Sequence, residues 1–325
     1  MNFSDIKKIK DKILNGYQIT KEEAINLSQT GNIETLYYSA NQIRANFCGS
    51  LFEMCCIIND VFDKCSEDCA WCPMSSLSKV NYTMYEQFDF DREIKMINEI
   101  HKQGVKLLEY CTNQKNLNNL QLNHAIEQLN KFSEATKIKI CASCGSLSYD
   151  QLKRLKEETK VNIYHCNLET SPDFYKKVCT TNNQESKVET LKNAKKLGFE
   201  IWSGGIIGMG ETMTDRIDFA LKLRELEPKT ITLNILFPFA GTPLEKQPRM
   251  NSQDILTTFA IFRFINPRAK IRLGRGRSLI KIIEKEALRA GINSSVVGEL
   301  FVNAQPEEIE NDKQRFEEEG FIISK

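Results

Sequence analysis

The sequence has few histidines, almost no net charge and no long apolar run, and each absence excludes a class of protein. The 3 histidines among its 325 residues are not spaced to complete a zinc site with nearby cysteines. Lys and Arg number 44 against 43 Asp and Glu, so the charge does not indicate binding to nucleic acid or to a membrane surface. No apolar run could span a bilayer, and the first residues lack the apolar segment of a signal peptide. We therefore expect a cytoplasmic protein.

Cysteine, by contrast, is plentiful. The chain has 11 cysteines, which in a cytosolic protein indicate metal ligands or free thiols and not disulfides. Cys65, Cys69 and Cys72 are spaced C-x3-C-x2-C, and thiolates this close together suit three irons of a [4Fe–4S] cluster. The next cysteine is Cys111, so one iron would stay open for another ligand. A zinc knuckle and chance clustering are the alternatives, and the spacing favours the iron–sulfur cluster.

Beyond about residue 54, short apolar runs alternate with amphipathic helical patterns. This alternation is typical of parallel βαβ units, and eight such runs predict a TIM-type (βα)8 barrel. We predict an N-terminal helical extension over residues 1–47, where Thr20 to Glu23 form a capping box, and a barrel over residues 48–325 that ends in a helix starting near Pro306. The predicted strands are 54–61, 105–111, 138–141, 161–166, 200–207, 230–237, 270–273 and 294–297.

Cysteines also follow the ends of three consecutive predicted strands. Cys111, Cys141 and Cys166 end the second, third and fourth strands, and Cys144 comes three residues after Cys141. A single cysteine at a strand end is usually a small buried hydrophobe. Because the carboxyl ends of barrel strands meet at one mouth, four thiols there predict a second metal cluster. Cys55, in the first strand, is interpreted as a packing residue.

The cluster loop, with Trp71 before its last cysteine, resembles the signature of the radical S-adenosylmethionine (SAM) superfamily. Within that superfamily, the chain from about residue 55 onward is similar to the biotin synthase family. Four motifs carry the resemblance: residues 65–73, residues 164–172, residues 203–212, and Asn234 with residues 241–244.

The resemblance implies a specific chemistry. In the superfamily, the open iron binds SAM, and one electron from the cluster cleaves SAM to methionine and a 5′-deoxyadenosyl radical. In the biotin synthase family, two such radicals abstract hydrogen from dethiobiotin, and an auxiliary iron–sulfur cluster supplies the inserted sulfur. The expected cofactors are therefore a [4Fe–4S] cluster, SAM and an auxiliary cluster.

The resemblance also implies roles for individual residues. Glu169 would bind the SAM ribose and Lys187 the SAM carboxylate, while Asn167 and Asn234 would lie between SAM and the substrate. Trp71 is either a further cofactor contact or a packing residue. The adenine side of SAM would face five residues of the fifth strand and the loop after it, namely Gly204, Gly205, Ile206, Gly208 and Glu211.

The expected ligands of the auxiliary cluster depart from the family pattern. Cys111 and Cys141 match family ligands, but the position of a third holds Trp202, which cannot bind iron. Our hypothesis is that Cys166 replaces that ligand and that Cys144 adds a fourth thiolate, which would give a [2Fe–2S] or larger cluster. Arg272 matches an arginine ligand of the family, and ligation, charge balance and simple packing are all open to it.

The expected partners are dethiobiotin, a flavodoxin- or ferredoxin-like electron donor, and a second copy of the chain in a homodimer. Two other functions compete. One is a radical SAM enzyme with a different substrate, of the mutase or hydrogenase-maturation type, which Trp202 keeps open. The other is a cluster protein that only transfers electrons, which the open iron and the size of a barrel argue against.

Overall fold

The fold is a closed barrel of eight parallel strands, seen in a computed structural model that describes residues 1–62, 64–80, 89–297 and 306–323. The strands follow the order β2-β3-β4-β5-β6-β7-β8-β1, and pairing of β1 with β2 closes the ring. The predicted TIM-type barrel is confirmed. The barrel strands are β1 (Leu51–Asp60), β2 (Leu107–Thr112), β3 (Lys139–Ser143), β4 (Ile163–His165), β5 (Glu200–Ile207), β6 (Thr230–Ile235), β7 (Lys270–Leu273) and β8 (Ser294–Val296).

The eight predicted runs each contain a barrel strand, and their ends differ by a few residues. Strand β4 ends at His165, one residue before Cys166. A short strand β9 (Ile322–Ile323), which was not predicted, pairs with the start of β1 outside the ring. Parallel strands are buried on both faces and therefore read as continuous apolar runs, which is why the sequence located them.

Helices surround the barrel. Many of them begin at a side-chain cap, and the predicted capping box of Thr20 and Glu23 is present at the start of α2. A 3-10 helix, Arg277–Ile283, precedes α11. The helices are α1 (Phe3–Leu14), α2 (Lys21–Ser28), α3 (Ile33–Cys48), α4 (Phe90–Lys102), α5 (Asn119–Ala135), α6 (Tyr149–Glu158), α7 (Pro172–Val178), α8 (Gln184–Lys196), α9 (Met213–Leu226), α10 (Ser252–Ile265), α11 (Glu284–Arg289) and α12 (Pro306–Glu318).

The first three helices pack on the outside of the barrel. Lys21 pairs with Asp218 of α9 at 2.6 Å, and the Tyr37 hydroxyl lies 3.2 Å from that of Thr257 on α10. Their apolar residues belong to the same hydrophobic core as the outer face of the barrel sheet. The division into an extension and a barrel at residue 47 stays a prediction. No helix in the described ranges is both long and apolar enough to cross a membrane.

The two faces of the sheet bury different side chains. The outer face packs against the helices and contributes to the large core. The inner face encloses a small apolar layer at the floor of the barrel, formed by Cys55, Leu107, Cys141, Ile163 and Trp202. Because side chains alternate along a strand, the residues two positions further along β2 and β4 face the lumen above this layer.

Candidate active site

The cluster loop, residues 65–72, follows β1 and is closed by its own backbone hydrogen bonds. The Cys72 amide donates to the Cys69 carbonyl, and the Cys65 amide donates to the Met74 carbonyl, each at a distance of 3.1 Å. The Met74 amide also donates to the Cys72 sulfur at a distance of 3.4 Å, a contact that favours a thiolate. Burial nevertheless raises the pKa of Cys72 to about 11. A bound metal is what would hold this sulfur deprotonated at neutral pH.

The loop is tied to the segment after α7. Asp68 accepts hydrogen bonds from the backbone amides of Thr180 and Thr181 at 2.8 and 3.1 Å. Burial acts to raise the pKa of Asp68, but these hydrogen bonds outweigh it and hold the pKa well below its usual value. The attachment also brings Cys179 to the loop, with its sulfur 3.5 Å from that of Cys69. No motif in the sequence linked Cys179 to this loop.

Glu169 is held against β5 in an unusual backbone conformation, with φ at +72°. Its amide donates to the Gly204 carbonyl at 3.0 Å, and its carbonyl accepts from the Ile206 amide at 2.7 Å. A Cβ on Gly205 would lie 2.1 Å from the Glu169 carbonyl oxygen, and a Cβ on Gly204 would lie 2.0 Å from that of Thr232. Both glycines are thus required by close backbone packing, which positions the Glu169 side chain.

Lys187, on α8, lies beside this carboxylate. Its Nζ is 3.8 Å from Glu169 Oε1, and both side chains are largely buried. Burial raises the pKa of Glu169, and the charge of Lys187 opposes that rise. Burial acts to lower the pKa of Lys187, but Glu169 outweighs it and the pKa is raised. The two predicted SAM contacts therefore form one ion pair.

Glu211 faces its own loop. Its carboxylate accepts the backbone amides of Gly208 and Met209, each at 2.7 Å, and pairs with Arg216 Nε at 2.8 Å. Gly208 has a φ of +94°, which favours glycine. Glu211 thus fixes the turn after β5, and any effect on a bound cofactor would pass through that turn.

A cavity of about 310 Å³ opens inside the barrel above the apolar floor. Trp71, Cys72 and Glu169 border it on the side of the cluster loop. Trp71 also packs edge-on to Tyr175 with 6.3 Å between the ring centroids, so it both packs and lines the cavity. Further into the lumen, the cavity wall includes Cys111, Glu109, Arg272, Asn167, Asn234 and His165.

The two predicted asparagines line this cavity. Asn234 is fixed at both ends of its amide: Nδ2 donates to the Gly205 carbonyl at 3.1 Å, and Oδ1 accepts from the Arg275 amide at 2.8 Å. The Asn167 Oδ1 lies 2.7 Å from His165 Nε2. An amide has two donors and two acceptor positions, so each asparagine keeps capacity for a ligand.

A buried network of charged groups crosses the lumen below them. Glu109 Oε2 accepts from Arg272 Nη2 at 2.7 Å, and Glu109 Oε1 lies 2.5 Å from His165 Nδ1. Burial acts to raise the pKa of Glu109, but His165 and Arg272 outweigh it and hold the pKa well below its usual value. Arg272 also donates to Thr232 and stacks over the Trp202 ring at 4.7 Å. The network fixes the guanidinium in the barrel floor.

The structure separates the cysteines predicted for the auxiliary cluster. Cys111 lines the cavity, and Cys141 lies in the apolar floor. Cys144 and Cys166 lie instead in the core between the sheet and the helices. The exchange of a ligand role between position 202 and Cys166 stays a prediction, and these two side chains lie on opposite faces of the sheet.

The lumen nevertheless fits an iron–sulfur cluster. It contains buried thiols, and one guanidinium nitrogen, Arg272 Nη1, is fully buried without a hydrogen-bond partner. Buried cationic nitrogens are normally paired, so this atom faces the place of a missing anionic group. Across residues 1–62, 64–80, 89–297 and 306–323, no three His, Cys, Asp or Glu side chains converge as for a single metal ion.

Two lumen residues, Glu109 and His165, were not singled out from the sequence, and Cys55 was interpreted only as a packing residue. A charged residue within the apolar run 105–111 was the available signal, because a buried carboxylate is rare unless it is paired. His165 was read only as part of a motif, although it precedes Asn167 by two positions and must share its face.

Comparisons with known proteins agree with this geometry. Residues 60–223 match the Radical SAM superfamily, and residues 232–322 match the Biotin and Thiamin Synthesis associated domain. Among solved structures, methylornithine synthase superposes with a TM-score of 0.82 over 98% of this chain and 97% of that one, at 17% identity. A maturase of the [FeFe]-hydrogenase gives 0.80 over 99% of this chain and 75% of that one, at 16% identity. Identities this low show a shared fold and no more.

The matches at higher identity are to whole proteins. Biotin synthase from Clostridium botulinum is 43% identical over 310 residues, which covers 95% of this chain and 97% of that protein. Biotin synthase from Clostridium perfringens is 40% identical over 318 residues, covering 98% and 99%. That from Parabacteroides distasonis is 37% identical over 320 residues, covering 98% and 97%.

The barrel, the three-cysteine loop and the family match define a radical SAM enzyme. Its relatives at about 40% identity over nearly the full chain are biotin synthases. The chain belongs to the biotin synthase family. Membership gives it that family's activity, a radical SAM sulfur insertion, and the family's cofactors, which are SAM, a [4Fe–4S] cluster and an auxiliary iron–sulfur cluster.

Proposed function

We propose that the chain converts dethiobiotin to biotin inside the lumen cavity, with SAM at the cavity mouth and the auxiliary cluster at its floor. One observation supports this above others. A single cavity is bordered by the cluster loop and Glu169 at one end and by Cys111 and Arg272 at the other. A substrate in this cavity would touch both the source of the radical and the source of sulfur.

Cys65, Cys69 and Cys72 would hold the [4Fe–4S] cluster. When bound, that cluster supplies the electron that cleaves SAM, and the auxiliary cluster supplies the sulfur. Glu169 accepts the ribose hydroxyls, for which its carboxylate must be ionised. Lys187 favours the ionised form of the Glu169 carboxylate. Its ammonium group also offers a positive charge to the SAM carboxylate, without the two parallel hydrogen bonds that an arginine could form.

Asn167 and Asn234 orient the substrate. The ureido ring of dethiobiotin both donates and accepts hydrogen bonds, as a side-chain amide does. Because Asn234 is fixed by the Gly205 carbonyl and the Arg275 amide, its remaining donor and acceptor positions have a set direction. A preset direction holds the carbons that lose hydrogen at a defined distance from SAM.

Apolar side chains keep water out of the same space. Trp71, Ile206 and Leu236 line the cavity and belong to, or pack against, a small buried apolar cluster. A radical formed there meets few groups other than the substrate. Gly204 and Gly205 serve this site indirectly, since their lack of side chains lets Glu169 lie against β5.

The finer assignments of partner and location follow the same proposal. A flavodoxin- or ferredoxin-like protein delivers the electron, a second copy of the chain completes a homodimer, and the enzyme acts in the cytoplasm. Residues 1–47 form a helical extension that supports α9 and α10, and residues 48–325 carry the chemistry.

The test is dethiobiotin-dependent turnover after anaerobic reconstitution. SAM cleavage should rise when dethiobiotin is added, and biotin should form with about two SAM consumed for each biotin, since each C–S bond formed requires one hydrogen abstraction. Asn167→Ala should need about tenfold more dethiobiotin, the cost of one lost hydrogen bond to a buried polar group. Asn130 is partly exposed on α5, and its amide donates to the Glu158 carbonyl. It gives the matched control Asn130→Ala, which should leave turnover unchanged.

SAM cleavage that ignores dethiobiotin and yields no biotin, despite a full complement of iron and sulfide, would contradict the proposal. It would assign the same SAM site to another substrate. If Asn130→Ala raised the dethiobiotin requirement as much as Asn167→Ala does, Asn167 would lose its assigned role in orienting the substrate. The rest of the proposed function would be unaffected.

A further inference from the structure

We propose that Cys55 is a ligand of the auxiliary iron–sulfur cluster, together with Cys111 and Cys141. The inference rests on the proposed function, because it presumes that the lumen holds that cluster. It names a residue that the sequence analysis interpreted as packing, and it excludes Cys144 and Cys166 from the ligand set.

Strand β1 carries two adjacent cysteines that face opposite ways. Cys55 lies in the apolar floor of the lumen with Cys141, and it is fully buried. Cys56 lies in the outer core, with its sulfur 3.4 Å from the Leu107 carbonyl oxygen. Alternation along the strand sets this difference, so only the first of the two sulfurs can reach the lumen.

The lumen thiols come together through the register of the sheet. Cys55 on β1 pairs with Leu107 on β2, and both pack with Cys141 in the apolar floor. Cys111 follows Leu107 on the same face of β2, four positions further along, and lines the cavity above that floor. Three strands, β1, β2 and β3, thus each contribute one sulfur to the same part of the barrel.

Arg272 provides the independent evidence for a missing acceptor. Its Nη2 is taken by Glu109, and its Nε by Thr232. Its Nη1 is buried and has no hydrogen-bond partner. A neutral thiol accepts hydrogen bonds only weakly, whereas a thiolate bound to an iron–sulfur cluster would be a strong acceptor for this charged donor. Each thiol would lose its proton to solvent as its sulfur bonds iron.

Glu109 is the other candidate for the third ligand, and its contacts argue against it. Both of its oxygens are engaged, Oε2 by Arg272 and Oε1 by His165. Iron binding by this carboxylate would break an ion pair that is fully buried. Cys55 gives up no such interaction, and sulfur is the softer ligand that iron–sulfur clusters take.

The experiment compares iron, sulfide and Mössbauer spectra of the anaerobically reconstituted enzyme in wild type, Cys55→Ala, Cys55→Ser and the matched control Cys56→Ala. The wild type should hold about four irons in the first cluster plus a clear excess in the auxiliary one. Cys55→Ala should lose the excess. It should keep the first cluster, seen as an electron paramagnetic resonance signal that changes when SAM is added. Cys56→Ala and Cys166→Ala should match the wild type.

The possible failures can be told apart. If Cys55→Ala keeps the wild-type iron and an unchanged Mössbauer spectrum, Cys55 is not a ligand. If that variant does not fold, Cys55→Ser keeps the side-chain volume, and its unchanged spectrum would overturn the proposal in the same way. A wild type without iron beyond the first cluster would refute the proposed function itself. If Cys56→Ala also lost the excess iron, any disturbance of β1 would be sufficient to lose the auxiliary cluster. The loss in Cys55→Ala would then not identify a ligand, and the proposal would fall.

Discussion

Neutralising Glu109 should weaken the barrel strongly, because this carboxylate is the counter-charge of Arg272 in the lumen. The two side chains are 3% and 0% exposed and lie 2.7 Å apart. Glu109→Gln keeps the size and one acceptor oxygen but removes the charge. The guanidinium would then stay buried with no anion, since its remaining oxygen partner is the Thr232 hydroxyl.

The expected size follows from this burial. Removing one partner of a buried ion pair costs about 3–5 kcal/mol, most of it for the charge left behind. For 325 residues the unfolding entropy is roughly 0.7 kcal/mol/K, so the midpoint should fall by about 4–7 °C. The assay is thermal unfolding of the iron-free enzyme, in which no cluster thiolate can replace Glu109, followed by circular dichroism. Glu127→Gln is the control: it removes the exposed partner of Lys131 and should change stability by less than about 0.5 kcal/mol.

The pH dependence gives a second test of the same reasoning. A carboxylate with a depressed native pKa contributes stability above its unfolded pKa, about 4.3, and loses it only as the pH falls further. The difference between wild type and Glu109→Gln should therefore stay constant from about pH 8 to about pH 5.5. A midpoint that does not move in Glu109→Gln, or a difference that vanishes near pH 6, would refute the paired carboxylate.

Three further predictions concern the SAM side of the cavity. Gly205→Ala should abolish SAM binding in equilibrium dialysis while the protein still folds, because the new Cβ would lie 2.1 Å from the Glu169 carbonyl; normal affinity would contradict the packing role. Lys187→Met should raise the pKa of Glu169 further, so SAM affinity should fall at neutral pH and recover as the pH rises; a parallel loss at every pH would point to lost contact alone. In iron-free protein treated with diamide, Cys69 and Cys179 should form a disulfide seen in tryptic peptides, since their sulfurs lie 3.5 Å apart, and Cys179→Ser should prevent it; free thiols at both positions would count against this pairing.

The fold and the SAM end of the site were predictable because each depends on local sequence. Eight apolar runs separated by helical patterns specify parallel strands, and three cysteines within one loop need no tertiary information to be recognised together. The residues expected on the SAM side, such as Glu169, came from the family resemblance, and their roles stay predictions. Their contacts were less predictable: Gly205 accommodates the Glu169 backbone, and Glu211 binds its own turn.

The floor of the lumen was harder to predict because a continuous apolar run does not say which residues face inward. One argument was nevertheless available for β4. If Asn167 faces the substrate, its neighbour Cys166 must face the helices, since side chains alternate along an extended chain. For β1 two polar residues, Glu53 and Asn59, share the face of Cys55 and were an unused signal for the inner face. The register with β2, which pairs Cys55 with Leu107, then places Cys55 in the floor.

Trp202 explains why the sulfurs gather on one side of that floor. Its ring occupies the β5 side of the lumen, beneath the Arg272 guanidinium, and its indole nitrogen donates to Glu200 at 2.7 Å. Because tryptophan cannot bind iron, a cluster held in the lumen would have its sulfur ligands on β1, β2 and β3 and not on β5. Those strands carry Cys55, Cys111 and Cys141, while Arg272 lies over the ring from β7. The tryptophan would therefore bound such a cluster on the β5 side, where the family has a ligand.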